Sequence, residues 1–173
     1  MRIIAGRWRG HRLAAPKGRH VRPTPDRVRE AWMSALGATV VDAVVWDLFA
    51  GSGALGLEAL SRGARTVSLV ERARSAQKAI RENVERLGAQ EECTIVADDV
   101  FRFLARSTAP ADVALADPPY STGDAAKLVE LFVREPFARH LWLEHPWRER
   151  LPLPADARTR RYGDTALTLL SHT

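Results

Sequence analysis

Apolar and polar positions fall into two kinds of block along this chain. Short continuous apolar runs recur at 40–49 (VVDAVVWDLF), 66–71 (TVSLVE), 93–97 (CTIVA), 112–120 (DVALADPPY, closing in a turn) and 140–145 (HLWLEH). Such runs are the pattern of parallel strands buried on both faces. The stretches between them have helical periodicity or glycine turns. AGSGALGLEALSRG is a glycine turn leading into a short helix, and 72–88 places Ala76, Ala79, Ile80 and Val84 on one face with a stop at Gly88. Residues 99–106 and 123–135 also predict helices. Upstream, Thr24-Pro25-Asp26 predicts a helix start, with Thr as N-cap, Pro in the first position and an acid in the first turn. Val28, Ala31, Trp32 and Ala35 follow at i, i+3, i+4 and i+7, and Gly37 ends the helix. The tail, RTRRYGDTALTLLS, predicts two short strands around Gly163-Asp164, and IIAG with HRLAAP predicts a small N-terminal hairpin.

This alternation predicts an α/β fold: a mostly parallel, seven-stranded sheet with helices on both faces and an antiparallel hairpin at one edge. It also predicts two parts, a hairpin arm over residues 1–23 and one globular domain over 24–173.

Composition adds exclusions. One cysteine, Cys93, among 173 residues leaves no disulfide framework and no cysteine-based metal site. No apolar run approaches the ~18–20 residues of a membrane span. MRIIAGRWRGHR lacks the apolar region of a signal peptide, which predicts a cytoplasmic protein. No His/Cys/Asp cluster calls for a metal, and a monomer is expected.

Charge changes the picture most. Residues 1–30 hold nine basic and two acidic side chains, a net of +7, whereas 31–173 hold 17 basic and 19 acidic, a net of −2. Arginine forks match phosphate oxygens, and Trp8 and His20 stand among them as stacking surfaces. Charge alone suits a solvated basic terminus equally well.

In doubly wound sheets, ligands bind beyond the carboxyl ends of the strands, and four strand ends here carry polar chemistry. Asp47 precedes Gly51-Ser52-Gly53-Ala54-Leu55-Gly56, a G-x-G-x-x-G turn between strand and helix that suits a ligand's close approach or a plain tight turn. Glu71 lies 20 residues after Gly51, where an acid can accept ribose hydroxyls or serve the following helix's N-terminus. Asp98-Asp99 offers one carboxylate for an adenine amino group and another as a helix N-cap. Asp117-Pro118-Pro119-Tyr120 is the most specific element, because two prolines remove two donors and leave carbonyls to accept from elsewhere.

An acid, a carbonyl and an aromatic face together suit a planar exocyclic amine. Asp117 and the Pro118 carbonyl can each accept one N–H of it, favouring a pyramidal nitrogen with its lone pair aimed at an electrophile. Tyr120 can stack on the base. This is catalysis by positioning and electrostatics. A base paired in a duplex cannot reach such a pocket and must be looped out or flipped.

DLFAGSGALGLEALSRGA, Glu71 and DPPY resemble class I S-adenosylmethionine-dependent methyltransferases that act on amino groups. MRIIAGRWRG and RPTPDRVREAW narrow the resemblance to the bacterial RsmD family, and YGDTALTLL is similar to that family's closing hairpin. The resemblance covers nearly the whole chain. It implies a Rossmann-like methyltransferase fold, S-adenosylmethionine as cofactor, and methylation of guanine N2 in 16S ribosomal RNA or a small-subunit particle. By position it implies that Asp47, Phe49, Ala50, Gly51, Ser52 and Gly53 line the cofactor's methionine end. Glu71 then holds its ribose, and Asp99 with Val100 its adenine, with Asp98 as second choice. Asp117, Pro118, Pro119 and Tyr120 hold the guanine. Arg7, Trp8, Arg9, Arg12, Arg22, Thr24, Arg27 and Arg29 face RNA or the rim of the site. Pro25 stands where Thr is more usual, and 134–160 matches the family weakly.

Three other readings compete. A DNA adenine-N6 methyltransferase shares DPPY, but the chain is short for a target-recognition domain. A dinucleotide oxidoreductase leaves DPPY unexplained. A non-enzymatic RNA-binding or ribosome assembly protein explains the arm but not acids after four successive strands.

Overall fold

The structure is a computed structural model that describes residues 1–16 and 26–172, the side chains of 26 and 27 excepted. Five strands and four helices alternate: β1 (Val44–Leu48), α2 (Ala54–Ser61), β2 (Thr66–Val70), α3 (Arg74–Leu87), β3 (Cys93–Val96), α4 (Val100–Arg106), β4 (Ala111–Ala116), α5 (Asp124–Arg134) and β5 (Ala138–Pro146). They are preceded by α1 (Asp26–Leu36) and followed by the hairpin β6 (Arg158–Tyr162) and β7 (Thr165–Ser171). The seven strands form one sheet in the order β3-β2-β1-β4-β5-β7-β6. β1 to β5 pair in parallel, and β7 pairs antiparallel with both β5 and β6. The closing hairpin thus forms one edge of the sheet, as the sequence predicts.

The order of strands reverses between β1 and β4, so the connections from β1 and from β4 leave in opposite directions. α1, α2 and α3 pack on one face, with Trp32, Leu57, Leu60 and Ile80 in the core. α4 and α5 pack on the other, with Leu104, Leu128, Val129 and Phe132. Among the described residues no helix is long and apolar enough to cross a membrane.

Some boundaries differ from the sequence reading. The run 40–49 is strand only over Val44–Leu48. Val40 closes a 3-10 turn that starts at Gly37, and Asp42 has φ 58, a left-handed turn that no strand accommodates. The buried face of α1 is Val28, Arg29, Trp32, Met33 and Leu36, rotated from the predicted face because Ala31 and Ala35 are only half-buried. The predicted cap Thr24 lies outside the described residues.

The arm closes on itself and on the body. Ile3 donates to the His11 carbonyl at 3.0 Å, Gly10 donates to the Ile3 carbonyl at 2.9 Å, and Arg2 pairs with Arg12. Ile3 and Leu13 are buried in the same core as α1, α2 and α3. The carboxylate of Glu58, fully buried on α2, accepts the amides of Ile4 (2.7 Å) and Ala5 (3.0 Å) and the Nε of Arg62 (2.8 Å). A side chain at Gly6 (φ 84) would place its Cβ 1.8 Å from the Ser61 carbonyl, so only glycine lets the arm approach α2. Asn83 of α3, also fully buried, accepts from Ala14 N–H (2.6 Å) and donates to the carbonyls of Ala14 (3.0 Å) and Ser52 (2.9 Å), tying arm, helix and glycine turn together.

Candidate active site

Register places the polar strand ends in one row. Leu48 pairs with Val70 on one side and Ala116 on the other, Val70 pairs with Val96, and Ala116 pairs with Leu143. One residue further along each strand therefore stand Phe49, Glu71, Ala97, Asp117 and Glu144.

At the end of β1 the chain turns sharply. Phe49 has φ 64, a strained conformation for a bulky side chain, and Gly51 (φ 58) and Gly53 (φ 78) follow. Gly53 caps α2, whose interior Gly56 packs so closely on β2 that a Cβ would lie 2.6 Å from Leu69. Beside Gly51, by contrast, a Cβ would meet nothing within 4 Å, so that side of the turn is open. Ala50 is buried and donates to the Val70 carbonyl at 2.9 Å, and Ser52 is buried beneath the turn.

Two carboxylates brace this turn. Asp47, only 2% exposed, accepts the Gly56 amide at 2.8 Å. Burial pushes its carboxyl up to about 7; the Gly56 bond opposes this, and the negative charges of Asp117 and Glu71 add to it. Glu71 accepts Gly51 N–H at 2.9 Å and Ala73 N–H at 2.7 Å, one at each oxygen. Each carboxylate oxygen has a second lone pair, so Glu71 keeps capacity for two further donors.

Asp98 and Asp99 have separate tasks. Asp98 accepts the Asp99 amide at 2.8 Å and pairs with Arg102 (3.0 Å) and Arg106. Asp99 caps α4, its Oδ1 accepting from Phe101 (3.0 Å) and Arg102 (3.3 Å), while its Oδ2 lies 3.9 Å from Arg72. Val100, the first residue of α4, is buried. Only Asp99 keeps an oxygen outside a tight ion pair.

The turn after β4 holds half-buried Asp117, buried Pro118, and exposed Pro119 and Tyr120. The Pro119 carbonyl accepts from Thr122 N (3.3 Å) and Oγ1 (2.9 Å). The Pro118 carbonyl accepts no hydrogen bond among the described residues. The Tyr120 hydroxyl donates to Glu144 Oε1 at 3.1 Å and lies 3.1 Å from Thr165 Oγ1. Burial, with the nearby charges of Glu144 and Asp117, pushes this phenol up to about 12, against a smaller lowering by the Thr165 bond. Glu144 is 3% exposed and was not singled out in the sequence. Its signal is a lone acid near the end of the apolar run HLWLEH. Among the described residues no group of three or more His, Cys, Asp or Glu side chains is placed to hold a metal.

The basic residues divide. Arg7, Arg9 and Arg12 are exposed, with Arg7 stacked on half-buried Trp8 (3.9 Å) and paired with Glu92 at 2.6 Å. Arg29 is a correction to the sequence reading. It is 1% exposed, and its guanidinium donates to the Arg2 carbonyl, so it holds the arm against α1 and does not face solvent. It shares the buried face of α1 with Trp32 and Met33; the predicted face at 28, 31, 32 and 35 left out Arg29 and Met33. Arg22 and Thr24 lie outside the described residues, as does the side chain of Arg27.

A family described as "Conserved hypothetical protein 95" matches residues 1–170. The chain is 40% identical over 131 residues to the "Ribosomal RNA small subunit methyltransferase D" of Escherichia coli K12, an alignment covering 76% of this chain and 66% of the relative. A solved structure of a putative methyltransferase from Escherichia coli is 36% identical, with a TM-score of 0.85, covering 98% of this chain and 96% of that one. A hypothetical protein of Thermus thermophilus is 34% identical, with a TM-score of 0.87 and 99% of each chain covered.

Proposed function

This chain belongs to the family described as Conserved hypothetical protein 95, the RsmD family of the resemblance above, and from that premise we propose that it transfers a methyl group from S-adenosylmethionine to a guanine N2 amine in 16S ribosomal RNA. The observation that carries this reading is the Asp117–Tyr120 turn. A carboxylate, a carbonyl with open accepting capacity and a tethered aromatic ring stand together at the carboxyl ends of parallel strands. Small-subunit ribosomal RNA is carried over from the name of the Escherichia coli relative, and guanine N2 from what the resemblance implies.

The residues present fit the cofactor. The open side of Gly51 accommodates a ligand, and Glu71 beside it retains acceptor capacity for ribose hydroxyls. Asp99 Oδ2 and Val100 would hold the adenine, and the turn from Asp47 through Phe49, Ala50, Gly51, Ser52 and Gly53 would hold the methionine end. When bound, S-adenosylmethionine supplies an electrophilic methyl group.

The chain's own contribution is to prepare the nucleophile. Asp117 and the Pro118 carbonyl accept the two N–H groups of the amine, drawing its lone pair out of conjugation and toward the incoming methyl. Tyr120 stacks on the flipped base, its ring held by Glu144 and Thr165. Pro119 fixes the turn. The amine proton leaves after methyl transfer, so Asp117 need not be a strong base. Arg7, Trp8, Arg9 and Arg12 of the arm, with Arg22, Thr24 and Arg27, would hold the RNA backbone. The same reading has a monomer acting in the cytoplasm on 16S rRNA or a small-subunit particle, with 1–23 as the RNA-holding extension of the domain 24–173.

Transfer of a radiolabelled methyl group to 16S rRNA and to small-subunit particles, with DNA as the control, tests the proposal. Label in RNA at guanine N2, lost in Asp117→Ala with cofactor still bound, supports it. Label in DNA alone, or no transfer despite bound cofactor, overturns it, the latter in favour of an assembly role.

A further inference from the structure

The sequence leaves one feature outside this function: the arginines of the closing hairpin. Arg158, Arg160 and Arg161 are exposed on β6, the edge strand of the sheet. Side chains alternate across a strand, so Arg158 and Arg160 share one face and Arg161 the other. Arg161 is occupied, donating to the Gly163 carbonyl at 2.7 Å and lying over Trp147 at 5.2 Å. Arg158 and Arg160 have no hydrogen-bond or ion-pair partner among the described residues.

These two arginines edge a groove of about 340 Å³ between the hairpin and the end of α1. Its floor is Trp142, Leu167 and Leu169, and its other walls are His140 of β5 with Ser34 and Thr39 from α1 and the turn after it. No acidic side chain lines it. Trp142 is half-buried, so part of its indole is open to the groove. An aromatic floor, two unpaired guanidinium groups and small hydroxyls are the chemistry that binds single-stranded nucleic acid, by stacking bases and holding phosphates.

The groove also lies close to the site. Trp142 lies two residues before Glu144, and Arg160 two before Tyr162, which pairs with Thr165 beside the Tyr120 hydroxyl. At ~3.3 Å per residue, the floor begins roughly 7 Å from the row of strand ends.

We propose that this groove holds the single-stranded RNA flanking the target guanine, with one base on Trp142 and phosphates on Arg158 and Arg160. The proposal rests on the RNA methyl-transfer reading above and extends it to a second RNA contact, on the same face of the sheet as the arm but toward its β6 edge.

The test is the double variant Arg158→Ala, Arg160→Ala in the full chain. Both side chains are exposed, so the fold should survive, which unchanged thermal unfolding and cofactor affinity would confirm. Binding to protein-free 16S rRNA is measured across a salt series, and methyl transfer across RNA concentrations. The expected result is a KM for RNA raised about tenfold with kcat retained, and a salt slope reduced by about 1.4, since each single-strand phosphate contact contributes about 0.7. RNA carrying 4-thiouridine should crosslink to the peptide containing Trp142. An unchanged slope and KM overturn the proposal, as does crosslinking confined to residues 1–16. Weakened binding to small-subunit particles with unchanged binding to free RNA overturns it too, by assigning the groove to a ribosomal protein. If the wild type binds RNA but transfers no methyl group, the catalytic reading fails while the salt slope still decides the groove.

Discussion

The hydroxyl of Tyr120 donates to Oε1 of Glu144 at 3.1 Å, joining the end of β4 to the end of β5. Tyr120 is 47% exposed, whereas Glu144 is 3% exposed. A buried anchor therefore holds an open aromatic face. Tyr120→Phe should leave cofactor affinity unchanged and lower kcat about tenfold, the size of one hydrogen bond's net contribution. Glu144→Gln should act through the same ring. In a double-mutant cycle the effects of the two should fall short of their sum by at least about 0.5 kcal/mol. Additive effects would show that Glu144 does not position Tyr120.

Asp117 divides into charge and acceptor. Asp117→Ala removes both and should lower kcat by about 10²–10³, the usual cost of one electrostatic group at a reacting centre. Asp117→Asn can keep an accepting oxygen and should fall between Ala and wild type. Calorimetric titration with S-adenosylmethionine should give nearly the same affinity for all three. A large loss of affinity in both variants would place Asp117 in the cofactor site and not at the amine.

Asp47 makes stability depend on pH. Its carboxyl is raised from 3.8 to about 7 in the folded chain, chiefly by burial. Between about pH 4 and 7 the folded chain retains a proton that the unfolded chain releases. Its contribution is therefore fully present below pH 4 and is lost as pH rises through 7. Asp47→Asn cannot ionise, yet its amide oxygen can still accept from Gly56. In urea unfolding across pH 4–8, the variant should gain stability on wild type as pH rises and level off above 7. A constant difference would mean that Asp47 ionises as an ordinary carboxyl.

The sheet was legible because strands buried on both faces leave continuous apolar runs, and Glu71, Asp98-Asp99 and Asp117 were legible because each follows such a run. What sequence spacing does not carry is the partner across the fold. Glu144 acquires its role from register beside Asp117 and from Tyr120, 24 residues away. Arg29 reads as a surface arginine because its burial depends on the Arg2 carbonyl, 27 residues upstream. The arm's charge was visible, but its anchoring was not. Glu58 lies 54 residues from the first amide it caps, and inside GLEALSRG it reads as an ordinary helix-surface acid. The Asp98-Asp99 pair was half legible: one cap was expected beside an adenine acid, but the cap falls on Asp99, the acid placed at the adenine, while Asp98 is taken up by ion pairs to Arg102 and Arg106.

The anchoring of the arm gives the last prediction. Glu58 has no exposure and satisfies two arm amides and Arg62. Glu58→Ala leaves those donors without their acceptor and should cost about 3 kcal/mol or more. Gly6→Ala forces a Cβ into the Ser61 carbonyl at a left-handed φ and should cost a few kcal/mol. Both should expose residues 1–16 to limited proteolysis before the rest of the chain unfolds. Because Asn83 links Ala14 to the Ser52 carbonyl, release of the arm should also loosen the glycine turn and weaken cofactor binding, with no arm residue touching the ligand. Arg7→Ala, Arg9→Ala and Arg12→Ala should do the reverse, sparing cofactor affinity while lowering the salt slope of RNA binding. Arg9 and Arg12 should account for most of that drop, since Arg7 is already paired with Glu92. Cofactor affinity that survives Glu58→Ala with the arm cleaved would show that the arm serves RNA alone.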